Sequence, residues 1–321
     1  MKFFFVFKNI DGYSRIIKFP LSYSILVLCM LFMIDNVPSS QAQKFKDVEI
    51  IVNQLDNNGT YMLVGKGGNI GLSVGDDGVL LIDSQFEQLT GKILSAIYNK
   101  ITDKPVIFVI NTHWHQDHTG GNENLVNNGS IVIAHENVRK RLSTEQFVDF
   151  LNREYKPAQI NALPTITYND SITFYFGDDK IDLYHLPNAH TDGDSIIYFN
   201  KRNVIHTGDV YVNGRYPFID HSSGGSIDGI ITGIEKIISI IDNETKIIPG
   251  HGLLSNLDEL QDYLHMLKDI RQQVETMVKN KYNLEEIIKS DITSDYDRVY
   301  SDSFINSGDF LAFVYNDIKH K

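Results

Sequence analysis

The segment Asn111-Thr112-His113-Trp114-His115-Gln116-Asp117-His118-Thr119-Gly120-Gly121 constrains this chain more than any other. The apolar run Val106–Ile110 ends immediately before it, which places the histidines on a loop at the end of a β-strand. Alternate residues of an extended chain face the same way, so His113 and His115 can converge on one ion while Trp114 turns away. A turn at Gln116 lets Asp117 and His118 reach a second position nearby, and the glycines allow a tight exit into a helix.

Three further ionisable residues share that context. His190 follows the apolar run Ile181–Leu186, Asp209 follows Val204–His206, and His251 follows Lys246–Ile248. Any one of them alone could cap a turn, and an HxH pair alone is common on solvated loops. Four strand ends, each delivering an imidazole or carboxylate, describe a shared site at a sheet edge. Such donors suit zinc, with iron or manganese as alternatives, and seven of them exceed one tetrahedral ion but suit two. His135, His221, His265 and His320 have no such setting and read as surface or helix residues, whereas His185 and His206 read as core or as support for the site.

The other elements follow from periodicity and turn residues. Val48–Val52, Tyr61–Val64, Asn69–Val74 and Gly78–Ile82 form a meander, and Ser171–Phe176 and Ile181–Leu186 flank a Gly-Asp-Asp turn. Ile131–Ala134 and Ser195–Phe199 are further strands. Helical spacing occupies Gln88–Lys100, Ile227–Ile241, Leu257–Lys279 and Asp309–Ile318. Strands mixed with helices in this order predict an α/β chain whose sheets are covered by helices. Its domain runs over residues 43–280, followed by a helical tail, 281–321.

The N-terminus carries scattered bases, then the apolar stretch Ile25–Ile34, then Ser40-Gln41-Ala42, with small residues before a cut at Gln43. This is the order of a secretory signal peptide, residues 1–42, and it predicts a periplasmic or secreted protein without a stable membrane anchor after cleavage. Cleavage would remove Cys29, the chain's single cysteine, leaving no disulfide and no thiol nucleophile. The formal charge is −12 over 321 residues, which disfavours a nucleic-acid partner.

With Asp83 in Leu80-Leu81-Ile82-Asp83 added, the order and spacing of HxHxDH, His190, Asp209 and His251 resemble the metallo-β-lactamase superfamily over roughly residues 48–280. That resemblance implies a four-layer αββα sandwich with two zinc ions per chain. It implies that His113, His115 and His190 hold one zinc, that Asp117, His118 and His251 hold the other, that Asp209 bridges, and that Asp83 orients a ligand imidazole. The β-lactamase subclasses with a cysteine ligand carry it where this chain has Asp209. The stretch Gly208–Asp220 and the tail around Tyr296–Tyr315 resemble the exported cyclase-like or sulfur-oxidation-associated hydrolases, whose substrates are poorly defined. Inserted nucleic-acid-processing domains and a flavin domain are absent from the sequence.

The expected activity is zinc-dependent hydrolysis of a small molecule with an activated carbonyl: an amide or lactam, an ester or lactone, or a thioester, with β-lactams as the first named case. Two zinc ions sharing a water would supply hydroxide near neutral pH, and Asp117 is the catalytic candidate that orients it or accepts its proton. Tyr211, Tyr216, Phe218 and the Gly65–Asn69 turn are candidates for the pocket rim, and Arg215 either meets a substrate carboxylate or forms a surface salt bridge. Two alternatives stay open: a mononuclear-iron dioxygenase acting on thiols or persulfides, and a non-catalytic metal-binding protein.

Overall fold

The computed structural model describes residues 5–8, 14–17, 44–302 and 304–319. The chain divides into two units, Met1–Asp47 and Val48–Lys321. In the first, β1 (Phe5–Lys8) pairs with β2 (Ser14–Ile17) antiparallel. The expected leader's apolar stretch, Cys29 and the cut before Gln43 lie outside the described residues.

The second unit is built on two mixed sheets. The first is seven-stranded, in the order β11-β8-β7-β6-β5-β4-β3. Its meander consists of β3 (Ile51–Gln54), β4 (Thr60–Val64), β5 (Ile70–Val74) and β6 (Val79–Ile82). Parallel strands β7 (Val106–Ile110), β8 (Ile131–His135) and β11 (Ile166–Tyr168) extend it. All four residues of β6 are buried, as a continuous apolar run in a strand covered on both faces requires. The expected first strand, Val48–Val52, begins three residues later, because the Asp56 carboxylate accepts from Asn58 and Thr60 backbone N–H groups and fixes the turn and hence the β3–β4 register.

The second sheet holds β12 (Ser171–Phe176), β13 (Asp179–His185), β14 (Ser195–Phe199), β15 (Val204–His206) and β16 (Lys246–Ile248) in sequence order, antiparallel until the last pair. Between the sheets lies a core that includes Met62, Leu80, Ile82, Ile110, Leu183, Ile197, Phe199 and Ile248.

Helices cover the outer faces. On the first sheet lie α1 (Thr90–Lys100), the single turn α2 (Gln116–Thr119), α3 (Asn122–Asn127) and α4 (Glu136–Leu142). On the second, α5 (Ile227–Ile238), α6 (Leu257–Lys279) and α9 (Ser307–Lys319) share one apolar core with Ile196, Ile205 and Ile247, and α7 (Leu284–Ile288) and α8 (Ser294–Tyr300) bridge α6 and α9. This is the four-layer αββα arrangement.

α5 shows how local sequence sets packing. Ile227, Ile230, Ile231, Ile234 and Ile237 recur every three or four residues and form its buried stripe, and the Ser226 side chain caps its start by accepting from Gly229 N–H. A Cβ at Gly229 would lie 1.7 Å from the Asn188 carbonyl oxygen, so only glycine lets this helix press against the loop that carries His190. From α9, the Asp317 carboxylate accepts the Ile227 N–H at 2.6 Å, which ties the tail to the same helix start.

Two short elements escape the sequence pattern. β9 (Gln146–Val148) and β10 (Arg153–Tyr155) form an antiparallel hairpin outside both sheets. The Arg141 fork anchors it, with Nε and Nη2 on the two Asp192 oxygens at 3.0 and 2.8 Å and Nη1 on Gln146 Oε1 at 2.9 Å.

Candidate metal centre

The putting-together of the site follows from the topology: β6 and β7 of one sheet and β13, β15 and β16 of the other all end at the same rim. Chain leaving β7 supplies His113, His115, Asp117 and His118. The loops after β13, β15 and β16 supply His190, Asp209 and His251. Ligand sites form outside the carboxyl ends of parallel strands because the chain must turn there, and turning loops can converge.

The structure brings all seven expected residues together. His115 Nδ1 lies 3.1 Å from His113 Nε2 and 2.9 Å from His190 Nε2. His118 Nε2 lies 3.1 Å from Asp209 Oδ1, 3.6 Å from Asp117 Oδ2 and 3.4 Å from His251 Nε2. His251 Nε2 is 3.2 Å from Asp117 and 3.4 Å from Asp209. Asp209 also stands 3.8 Å from His190, between the two groups. Three sets of atoms lie within 4.8 Å of one another and could each hold an ion: His113–His115–His190, Asp117–His118–His251, and His113–His118–Asp209.

The outward-facing nitrogens decide what can fill this space. His118 Nδ1 donates to Asp83 Oδ2 at 2.7 Å, His190 Nδ1 to the Phe218 carbonyl at 2.8 Å, and His115 Nε2 to Asp220 Oδ2 at 3.0 Å. Thr112 Oγ1 spends its own proton on Asp83 and so accepts from His113 Nδ1 at 3.0 Å. Each of these four rings therefore commits its outer nitrogen as a donor, which leaves the inner nitrogen as the one that can offer a lone pair. Those lone pairs face one another and two carboxylates at separations near the roughly 3.3 Å that a tetrahedral ion with 2.0–2.1 Å bonds would impose. Asp209 Oδ1 is buried and has no hydrogen-bond donor. The donor set fits a divalent cation.

Electrostatics agree with that reading. Burial drives His113 well below the ordinary imidazole value, aided by the neighbouring His118, and takes His190 down to about 4. Burial opposes charging of His118 and His251 too, but the Asp209 and Asp117 carboxylates overcome it, raising His118 well above its usual range and His251 to about 9. Asp209 and Asp117 are correspondingly held ionised against the cost of burial by His251 and His118. Asp117 and Asp209 are the negative charges of the cluster; without an ion, protons on His118 and His251 balance them, and a divalent cation would displace those protons.

Support beneath the ligands is dense. Asp83 accepts the Thr112 N–H at 2.8 Å as well as His118, and it does so from a left-handed backbone, φ 67°. Such a conformation costs a non-glycine residue about 1–3 kcal/mol and persists only where the surroundings fix it. A Cβ at Gly68 would lie 2.1 Å from the His118 ring. The Gly65–Asn69 turn therefore braces the ligand loops from behind, with Gly68 N–H on the Asp117 carbonyl and Asn69 N–H on the Gly250 carbonyl, and does not line the cavity as expected.

Other expectations are corrected here. Tyr211 is not at the rim: it is buried, its hydroxyl 2.8 Å from Ser255 Oγ, because the Val212–His251 bridge turns it inward. Tyr216 and Phe218 do line the cavity, and Arg215 lines it while pairing with Asp302 at 3.3 Å. His135, expected at the surface, is buried at the end of β8, caps α4 by accepting from Asn137 N–H, and stacks on His185. His206 is buried core that also supports the site, with Nε2 on the Asn69 carbonyl and Nδ1 accepting from Gly208 N–H.

Asp220 is the residue that sequence reasoning passed over. It accepts a hydrogen bond from His115 Nε2 and one from Ser223 Oγ at 2.5 Å, and through Ser223 is linked to Trp114 Nε1. Burial would raise its carboxyl, but the His115 bond brings it down to about 2. Its only sequence signal is a carboxylate shortly after Asp209.

Above the ligands opens a cavity of about 290 Å³. The β9–β10 hairpin lines it with Leu151, Arg153 and Tyr155, and Val212, Tyr216, Phe218 and Phe304 line it as well.

Comparison with known proteins agrees with this geometry. Residues 63–263 match the family model of the metallo-beta-lactamase superfamily. The chain is 23% identical over 191 residues to a metallo-beta-lactamase type 2 of Bacillus sp. (strain 170), an alignment covering 60% of this chain and 69% of that protein. It is 22% identical over 196 residues to a metallo-beta-lactamase type 2 of Elizabethkingia meningoseptica, covering 61% and 73%. Among solved structures, a metallo-beta-lactamase from Pontibacter korlensis superposes with a TM-score of 0.56 at 17% identity, over 69% of this chain and all of that one. By its fold, its match to the family model and its cluster of metal-capable residues, this chain belongs to the metallo-beta-lactamase superfamily.

Proposed function

We propose that this protein is an exported hydrolase that holds two zinc ions and cleaves an activated carbonyl compound: a lactam or amide, a lactone or ester, or a thioester. The observation that carries the reading is the set of four imidazoles tied outward by acceptors, their inner lone pairs facing Asp117 and Asp209. Membership of a superfamily whose members are generally zinc-binding hydrolases supports it.

In this reading His113, His115 and His190 hold one ion and Asp117, His118 and His251 the other, with Asp209 shared. Bound divalent ions would polarise the scissile carbonyl and make a water acidic enough to ionise near neutral pH. Asp117, ionised and lining the cavity, orients the attacking water by accepting its hydrogen bond. Asp220 and Asp83 hold His115 and His118 in the tautomers that leave Nδ1 and Nε2 free. The apolar walls exclude bulk water from the carbonyl. No cysteine is required, which agrees with a chain whose single cysteine lies in the expected leader.

The deciding experiment is elemental analysis of purified protein, paired with turnover of a chromogenic β-lactam, a lactone and a thioester. Two zinc per chain with hydrolysis of any one supports the reading and names the bond. Full metal occupancy with no hydrolysis of all three, or less than one metal per chain, defeats it. The mass of the exported protein checks cleavage before Gln43.

A further inference from the structure

The walls above the ligands are more selective than the ligands themselves. Leu151 and Tyr155 face the cavity from the β9–β10 hairpin, Phe218 from the chain after Asp209, and Phe304 from the segment between α8 and α9. Phe304 lies beyond the residues that match the family model. Phe150, Phe218, Phe304 and Phe313 form one aromatic group, with centroid separations from 5.2 to 6.2 Å, that joins the hairpin tip to the tail. Leu151 stays 37% exposed and Phe304 50% exposed, large apolar side chains left facing water at the mouth.

Gln116, Arg153, Tyr155, Arg215 and Tyr216 also line the cavity, and both guanidinium groups are engaged. Arg215 pairs with Asp302, and Arg153 lies over the Tyr155 ring at 4.7 Å and donates to Gln116 at 3.4 Å. The hairpin is anchored by Arg141 to Asp192 and by Asp149 N–H to Ser222 Oγ, so its apolar face is held in place over the site. An arrangement of this kind desolvates hydrocarbon and offers little to a sugar or a peptide backbone.

We propose that the substrate carries an apolar acyl or aryl-acyl group on its scissile carbonyl, seated between Leu151 of the hairpin and Phe304 of the tail. This rests on the hydrolytic reading above and specifies its substrate class. Each methylene buried in such a seat raises kcat/KM about fourfold until the seat is filled. At about 290 Å³ the cavity lies at the small end of ligand pockets, so the gain levels off at medium chain lengths.

The test uses full-length, metal-loaded protein and p-nitrophenyl esters from acetate to octanoate, with kcat/KM as readout. In parallel, binding of the corresponding free carboxylates is followed by the fluorescence of Trp114, the single tryptophan, which packs 5.5 Å from Tyr155 and 4.7 Å from His115. The expected result is a rise of at least tenfold from acetate to hexanoate in turnover and in affinity. Phe304→Ala and Leu151→Asn should each flatten that rise by threefold or more with metal content at the wild-type value. Ester turnover with no dependence on chain length in either readout overturns the apolar seat and leaves the hydrolase reading standing. No ester turnover, but carboxylate affinity that rises with chain length and is flattened by the two variants, supports the seat, and the β-lactam, lactone and thioester assays above then decide the hydrolase reading. A rise that both variants leave unchanged overturns the seat at these residues.

Discussion

Two sets of histidines occupy strand ends in this molecule, and only one of them has the donor set of a metal site. His113, His115, His118 and His190 stand where β7 and β13 end, each with its outer nitrogen tied to an acceptor and its inner nitrogen turned into the shared cluster with Asp117 and Asp209. His135 and His185 are the last residues of β8 and β13, stacked face to face at 3.7 Å with 7° between the rings. His135 uses both nitrogens, accepting from Asn137 N–H at Nδ1 and meeting the Asn169 carbonyl with Nε2, while His185 Nδ1 meets the Asp194 carbonyl. Burial lowers both of these, His135 to about 4 with the second ring beside it contributing, and the pull of Asp192 on both and of Asp170 on His185 is too weak to offset it. Strand-end position and burial are common to the two sets. What separates them is whether a lone pair remains to offer and whether anions face it.

Breaking the first set should have the largest effect. His115→Ala removes the nitrogen shared between His113 and His190, and we expect metal content to fall below two per chain and turnover to drop by roughly three orders of magnitude, the scale of losing a principal electrostatic stabiliser. Elemental analysis and steady-state rates check both together. Unchanged turnover with full occupancy would sink the assignment. Next in size is metal removal. Ions at a thousand times their dissociation constant stabilise the folded state by about 4 kcal/mol, so a strong chelator should lower the calorimetric melting temperature by several degrees.

Removing a support should cost less than removing a ligand. Asp220→Asn weakens the anchoring of the His115 tautomer, and metal affinity should fall about 10- to 100-fold in competition with a chelator of known affinity. His135→Asn should leave metal affinity unchanged, and a loss comparable to that of Asp220→Asn would erase the distinction between the two sets. Its effect belongs to stability. His135 has a folded-state pKa below its unfolded value, so as pH falls the unfolded chain takes up a proton that the folded chain refuses. Wild-type stability therefore declines from about pH 6.5 to about pH 4, by up to about 3 kcal/mol from this group. Denaturant titrations should show that the gap between wild type and His135→Asn narrows across that window.

The parts of the molecule that were legible in the sequence are those with local causes. α6 begins and ends where the apolar spacing predicts, Leu257–Lys279, because Asn256 caps its start by accepting from Glu259 N–H. The seven converging residues were legible because each follows an apolar run that can only be a strand. The β9–β10 hairpin was not, since Gln146-Phe147-Val148 and Arg153-Glu154-Tyr155 are too short and too polar for a period of two to register. Its position is set by Arg141 and Asp192, which lie far apart in the chain. Asp220 was hidden for the same reason, as its partner His115 is 105 residues away. Tyr211 and Phe218 lie in one stretch of similar composition, yet one is buried by the Val212–His251 bridge and the other reaches the cavity. His135 was misread because Glu136-Asn137-Val138-Arg139-Lys140-Arg141 reads as an exposed charged helix, and the residue that caps such a helix can still face inward.

The bond from Asp317 in α9 to the start of α5 also bears on the order in which the molecule is made. Translation runs from the N-terminal to the C-terminal end, so every candidate ligand from His113 to His251 leaves the ribosome before Phe304, Phe313 and Asp317. In a growing chain the ligand loops stand complete while the cavity lining still lacks Phe304. Ion capture and completion of that lining are separable in time, and a chain stalled or clipped near Tyr300 would carry the whole ligand set beside an incomplete cavity.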